Sequence, residues 1–299
     1  NMSRVSTAQL FDTAQRNIQN AKEKEAVSAE KSSSLKEISR PSQAPAEWLI
    51  VSTQKNDVNI REGISKNAGV ASHMISTTDG VLANAQDLVQ KIHTLALSAI
   101  GNAAGDVTKH VLPEVKGLYE NFIQNLNTKF GPRTLLGGQN SMGPAFDIEG
   151  KFLGDSGKIE IEIDRGVFVP INVSGSQAIL GEGIKDGVNI VKAMRDLIQG
   201  LETNDPDLVG GSLNVFTKAT DQISISRTQL AGSSLAIDKA IDRNAEHKIA
   251  QLDAISQIEE ANPIKVFSDL ARDQTVLRAA LESSHKIMSE SPADILLKP

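Results

Sequence analysis

The 299-residue chain has no cysteine. A disulfide framework, a thiol nucleophile and a thiolate metal site are therefore excluded. Aromatic residues make up only 3% of the chain, with one Trp and one Tyr, although 39% of residues are hydrophobic. Aromatics supply much of the area buried in thick cores. Without them, thin seams of Leu, Ile, Val and Ala are expected, as between long helices packed side by side. No basic tract is present to neutralise nucleic-acid phosphates, and 31 basic against 37 acidic residues leave a net charge of −6. No apolar run approaches the roughly 20 residues of a membrane-spanning helix. The opening NMSRVSTAQL lacks a positively charged tip followed by an apolar stretch, so no cleaved secretory signal is expected.

What the chain does have is helical periodicity. Ile60, Ile64, Asn67, Ala71, Met74, Thr78, Val81, Ala85, Leu88, Ile92, Leu95 and Ala99 step by four and three without interruption. This heptad-like seam predicts one helix from Ala46 to Ile100, about 80 Å long at 1.5 Å per residue. Gly63, Gly69 and Gly80 lie inside it, where they either permit close packing or allow a bend. GNAAGD (101–106) reads as a reversal with Asp106 as a cap. A second helix with the stripe Val111, Val115, Leu118, Phe122 and Leu126 then folds back and ends near Phe130-Gly131-Pro132. A further helix from about Lys185 carries Val188, Val191, Met194, Ile198 and Leu201. NDPDLVGG reads as a turn. From about Ser212 to Glu260 a second long helix places Leu213, Phe216, Thr220, Ile223, Arg227, Leu230, Ser234, Ile237 and Ile241 at the same spacing. Arg227, on the seam, either snorkels outward or pairs with a carboxylate across the bundle, and a structural pair is preferred.

The two ends differ from this bundle. A helix from Thr7 to Glu37, with Ser6 as its cap, carries Phe11, Ala14, Ile18 and Ala21. Its stripe then fades through Glu25, Ser28 and Ser32 before Leu35. At the other end, Ile264 to Met288 carries Leu270, Leu277, Leu281 and Met288, with Gln274 and Ser284 completing a thin stripe. Such stripes hardly hold an isolated helix. They belong either to frayed ends or, as preferred here, to helices that order against a partner. Proline breaks separate each end from the bundle, at Pro41 and Pro45 and again at Pro263. Between the bundle helices the period changes to two. Ile159, Ile161 and Ile163 alternate with Glu160 and Glu162, Asp164-Arg165-Gly166 makes a turn, and Val167 to Val173 returns, which predicts a hairpin. Pro170 places it at an edge or bulge.

The expected fold is mainly α: an elongated antiparallel long-helix bundle with paired terminal helices and a small inserted β domain. Residues 1–45 with 262–299 form a terminal coiled-coil assembly domain. Residues 46–135 with 183–261 form a helical rod, and 136–182 the β insert. The ends of the chain are expected together, and the β insert at the opposite end. Phe11, Ile18, Leu35, Leu270, Leu277 and Leu281 are the expected assembly interface. Pro41, Pro45 and Pro263 form a hinge crossed twice, and Trp48 packs just beyond it. Ile64, Leu88, Ile92, Leu95, Arg227 and Leu230 form the bundle seam.

Signs of catalysis are weak. His73, His93, His110, His247 and His285 include no pair at the i, i+4 spacing of a helical zinc site. No nucleophile elbow, phosphate-binding loop or dinucleotide fingerprint occurs. Asp147, Glu149, Asp155, Glu160, Glu162 and Asp164 cluster in the insert, where a solvated surface is preferred to paired catalytic carboxylates or a calcium loop. No catalytic, cofactor-binding or metal residue is assigned.

Several segments, in order, resemble the flagellin family. MSRVSTAQLFDTAQRNIQNA is similar to its amino-terminal helix. SRPSQAPAEW (39–48) resembles its Pro-Ser-x-x-Pro connector. SISRTQLAGSSLAIDKA (224–240) resembles the Arg-x-x-x-Gly region of the returning helix, with the glycine shifted by one. ARDQTVLRAALESSHKIM is similar to the terminal helix, and the tail SESPADILLKP extends past it. The Gly-Gly, Phe-Asp and Val-Pro-Ile-Asn-Val elements of the insert resemble those of hook–filament junction subunits within the family. The resemblance implies a structural subunit exported through the flagellar type III apparatus with an export chaperone. It implies a ring of copies, with another hook-associated protein on the hook side and flagellin or an adaptor on the filament side. A filament flagellin is the alternative in the same class. A stalked glycan-binding or hydrolytic module is the alternative from another.

Overall fold

A computed structural model describes residues 2–101, 105–139 and 141–289. The chain is mainly helical, and its long helices are α1 (Met2–Ser34), α2 (Pro45–Gly101), α3 (Gly105–Leu126), α5 (Ile190–Thr203), α6 (Pro206–Glu259) and α7 (Pro263–Ser289). Between α3 and α5 lie β1 (Lys129–Phe130), β2 (Arg133–Thr134), β3 (Glu160–Asp164), β4 (Val167–Pro170) and the single turn α4 (Gly175–Ala178). The chain forms two compact units, Ile60–His247 and the pair of segments outside it.

In the central unit, α2, α3, α5 and α6 share one core with the insert. The α2 seam is buried from Ile64 to Ile92 except at Asn67, where the neighbouring Ala68 turns inward instead, and is partly buried at Leu95 and Ala99. Phe216, Ile223, Leu230 and Ile237 of α6 are buried at heptad spacing. Asn125 joins α3 to α2, accepting from Asn84 Nδ2 at 2.9 Å and donating to the Val81 carbonyl at 2.8 Å. The glycines of α2 do not serve close packing: a Cβ at Gly63, Gly69 or Gly80 would have no atom within 4 Å.

Several boundaries differ from the sequence-based expectation. Ser6 lies inside α1, which starts at Met2, and Asp106 lies inside the first turn of α3. Asn102, Ala103 and Ala104 of the expected reversal lie outside the described residues. α3 ends at Leu126, because Phe130-Gly131-Pro132-Arg133 forms the β1–β2 hairpin, with Gly131 at φ 60°. α5 starts at Ile190, where the Asn189 side chain accepts from the Lys192 N–H. α6 starts at Pro206, before the two glycines read as a turn. The Asp205 carboxylate accepts from the Asp207 and Leu208 N–H groups at 3.0 and 3.3 Å, and proline fits the first helical position. Cap and proline together outweigh the cost of Gly210 and Gly211.

The β3–β4 hairpin is antiparallel, pairing Ile161 with Val169 and Glu162 with Phe168, with a bulge before Asp164. Gly166 in its turn has φ 74°. Farther back, Gly138 (φ 80°) lies so close to Asp155 that any side chain would collide with its carbonyl.

Candidate functional site

Among its described residues, the unit of 1–59 with 248–299 contains no thick core. Helix α1 pairs with α7, and among the described residues the buried positions are Ala21 and Ser28 on one helix and Val266 and Asp273 on the other. Each pair is seven residues apart, the heptad repeat of a two-helix seam. At its centre Ser28 Oγ donates to Asp273 Oδ2 at 2.5 Å. The predicted α1 stripe is the inward one: Ala14, Ile18, Glu25 and Ser32 are all partly buried beside Ala21 and Ser28. On α7 Leu270, Leu277 and Ser284 of the predicted stripe are partly buried, but the positions between them are displaced by one residue. Asp273 and Ala280 face inward where Gln274 and Leu281 were expected.

This phase divides the predicted interface. Ile18, Leu270 and Leu277 are partly buried, whereas Phe11, Leu35 and Leu281 are exposed. The structure adds exposed apolar side chains that the stripe did not identify. Leu10 and Val27 of α1 are exposed, as are Ile264 (83%), Phe267 (54%) and Val276 of α7. Leu49, Ile50, Ile249 and Leu252 in the same unit are exposed too. Among the described residues of this unit, exposed large hydrophobics outnumber buried ones, the reverse of the central unit.

The two proline breaks meet. Leu35 ends α1 in the left-handed conformation, φ 54°, with its N–H donating to the Lys31 carbonyl at 2.8 Å. The Glu37 N–H donates to the Glu259 carbonyl at 2.7 Å, and the Ala261 N–H to the Leu35 carbonyl at 3.0 Å. Lys36 and Glu260 thus form an isolated antiparallel bridge. The Glu259 carboxylate, nearly buried, takes Lys55 Nζ at 2.6 Å and Lys36 Nζ at 3.6 Å. Pro45 and Pro263 occupy first helical positions rather than kinking a helix, and Asn262 caps α7 by accepting from the Ile264 N–H at 3.0 Å. Pro41 lies in an exposed turn, and Trp48 is partly buried in the first turn of α2.

In the central unit, Ile64, Leu88, Ile92 and Leu230 are buried, and Leu95 packs against the core cluster that holds the last three. Arg227 makes a bidentate pair across the bundle: Nε reaches Asp79 Oδ1 at 2.7 Å and Nη2 reaches Oδ2 at 3.1 Å. The hydrogen bond to Asp79 holds the guanidinium above its ordinary pKa, against the opposing effect of burial. The acidic cluster is not simply a wet face. Asp147 accepts from the Lys151 N–H, Asp155 from the Gln139 and Gly157 N–H groups, and Glu162 from the Gly166 N–H. Burial raises the Asp164 pKa, but hydrogen bonds from the Arg165 N–H and Arg61 outweigh it and hold this carboxyl below the usual range. These carboxylates close turns, with backbone partners in the loops beside them, where a solvated surface was expected. Glu149 and Glu160 alone fit the solvated reading.

His93 packs edge-on against Phe216, and the other four histidines are exposed. Among the described residues no group of three His or acidic side chains is placed to hold a metal, and no helix is long and apolar enough to cross a membrane. The sequence reading missed Gln222. Buried on α6, it accepts from the Val188 N–H at 2.7 Å and donates to the Ala178 and Val188 carbonyls at 3.0 Å. A polar residue between apolar seam positions, Ala219 and Ile223, was the available signal.

Residues 5–141 match the model of the bacterial flagellin N-terminal helical region. No protein of curated function matches the sequence. A flagellar hook-associated protein of Vibrio parahaemolyticus has a similar structure, with a TM-score of 0.67 and 15% identity over 73% of this chain and 100% of its own. Bacillus cereus FlgL gives 0.58 and 12% identity over 70% of this chain and 100% of its own. Flagellar hook-associated protein 3 of Legionella pneumophila gives 0.50 and 12% identity over 70% of this chain and 96% of its own. At these identities the likeness is one of fold. Residues 5–141 are thus similar to the bacterial flagellin N-terminal helical region, and the chain has a mainly α fold like that of solved flagellar hook-associated proteins.

Proposed function

We propose that this protein is a structural, non-catalytic subunit of the bacterial flagellum that forms the junction between hook and filament. It is exported through the flagellar type III apparatus with the help of a chaperone and assembles into a ring of identical subunits. It contacts another hook-associated protein on one side and flagellin or an adaptor on the other. The observation that carries this reading is the unit of 1–59 with 248–299, whose terminal helices bury Ala21, Ser28, Val266 and Asp273 and expose Phe11, Ile264, Phe267 and Leu281. Such helices gain most of their apolar burial from neighbouring subunits. Their break, with Pro41, Pro45 and Pro263, acts as a hinge during assembly. The flagellin-type amino-terminal region and the hook-associated fold support the flagellar setting.

Deletion of the gene tests the reading by electron microscopy. Hooks without filaments, with flagellin released into the medium, are the expected result. Filaments of normal length on the deletion strain would remove the junction role. Purified protein that polymerises into long filaments would point to a filament flagellin instead.

A further inference from the structure

The β3–β4 hairpin consists of two strands, and a two-stranded sheet is marginal by itself. Its turn is clasped from two sides. Asp164 Oδ1 accepts from Arg61 Nη1 of α2 at 2.7 Å and from the Arg165 N–H at 2.8 Å. The same Arg61 nitrogen donates to Asn244 Oδ1 of α6 at 3.1 Å, and Asn244 Nδ2 donates to the Ile163 carbonyl at 3.2 Å. The three segments form a closed polar triangle, with Asn244 and Ile163 buried inside it. The insert therefore does not stay at the far end of the unit, since its turn lies where α2 enters and α6 leaves.

The position of the triangle along the helices gives it meaning. Within this unit no hydrophobic side chain of α6 is buried beyond Ala240, and none of α2 before Ile64. The buried apolar seam of the unit does not reach that end of the two helices. The buried residue of α6 at that end is Asn244, a corner of the triangle.

We propose that the β3–β4 hairpin is a brace that holds α2 against α6 where their apolar seam lapses, through Arg61, Asp164 and Asn244. The hairpin spans the helices from outside, and its polar corners replace the missing apolar contacts. A charge-assisted hydrogen bond is stronger than a neutral one, so the carboxylate of Asp164 is the corner that matters most.

Asp164→Asn in the full chain tests the brace, because it removes the charge and keeps the shape. Two measurements are read: backbone hydrogen exchange, and the distance distribution between spin labels at Asn67 on α2 and Lys239 on α6. Exchange is expected to rise about tenfold, the loss of one charge-assisted hydrogen bond. The rise should appear in residues 161–169 and also in 60–66 of α2 and 240–247 of α6, and amides near Leu82 and Phe122 should rise no more than the loss of unfolding stability requires. The label distances should broaden. Asn244→Ala should give the same pattern through a different corner. Faster exchange confined to the hairpin, with unchanged helices and label distances, would show that the hairpin is a passenger.

Discussion

Replacing Gly63, Gly69 and Gly80 together by alanine should stabilise the protein. Glycine in a helix interior costs about 0.5–1 kcal/mol relative to alanine, because the unfolded chain has more backbone freedom to lose. A Cβ at each of the three positions projects into open space, so no packing penalty opposes the gain. The sites are at least six residues apart on α2, far enough for their effects to add. The combined gain is about 1.5–3 kcal/mol, or a rise in melting temperature of roughly 4–9 °C for a unit of this size. Urea denaturation followed by circular dichroism, with calorimetry on the same samples, measures both quantities. A loss of stability would refute the reasoning, since it would mean that α2 needs a bend or a close neighbour there within the monomer. A stabilised monomer that no longer supports filament growth would instead place the need for glycine in contacts between subunits.

Other expectations follow from single contacts. Gln222→Leu leaves the Val188 N–H and the Ala178 and Val188 carbonyls without their buried partner, and should cost about 3 kcal/mol in urea denaturation. Leu35→Gly relieves a left-handed residue that is not glycine and should stabilise by about 1 kcal/mol, measured the same way. The Asp164 carboxyl has its pKa lowered in the folded chain, so its contribution is fully present above the ordinary carboxylate value of about 3.9 and is lost as pH falls through the lower folded value. The stability difference between the native chain and Asp164→Asn should therefore be constant near neutral pH and shrink only below about pH 4. A difference that grows on acidification would contradict that sign.

The elements that could be read from the sequence were those with long, uninterrupted periodicity. Helix α2 was placed within a residue at each end because its three-four steps run over more than five heptads and proline marks its start. The β3–β4 hairpin followed from three alternating isoleucines and a glycine turn. Starts of helices were less legible where competing local signals met. At α6 the two glycines suggested a turn, but the Asp205 cap and Pro206 settled the helix six residues earlier. On α7 the apolar residues are too sparse to define a phase, and a register with Asp273 inward, bonded to Ser28, was adopted instead of one with Gln274 inward. The triangle of Arg61, Asp164 and Asn244 was not legible at all. Its members lie far apart in sequence, and no local pattern distinguishes them from surface polar residues.

Ile264→Ser with Phe267→Ser, expressed in cells lacking the native gene, tests the central claim most directly. Both side chains are exposed on α7, so the purified double variant should keep the helicity and melting temperature of the native monomer. Electron microscopy of the cells should nevertheless show hooks without filaments, because the substituted surface no longer gains burial between subunits. Normal filaments on cells that export the double variant would contradict the account.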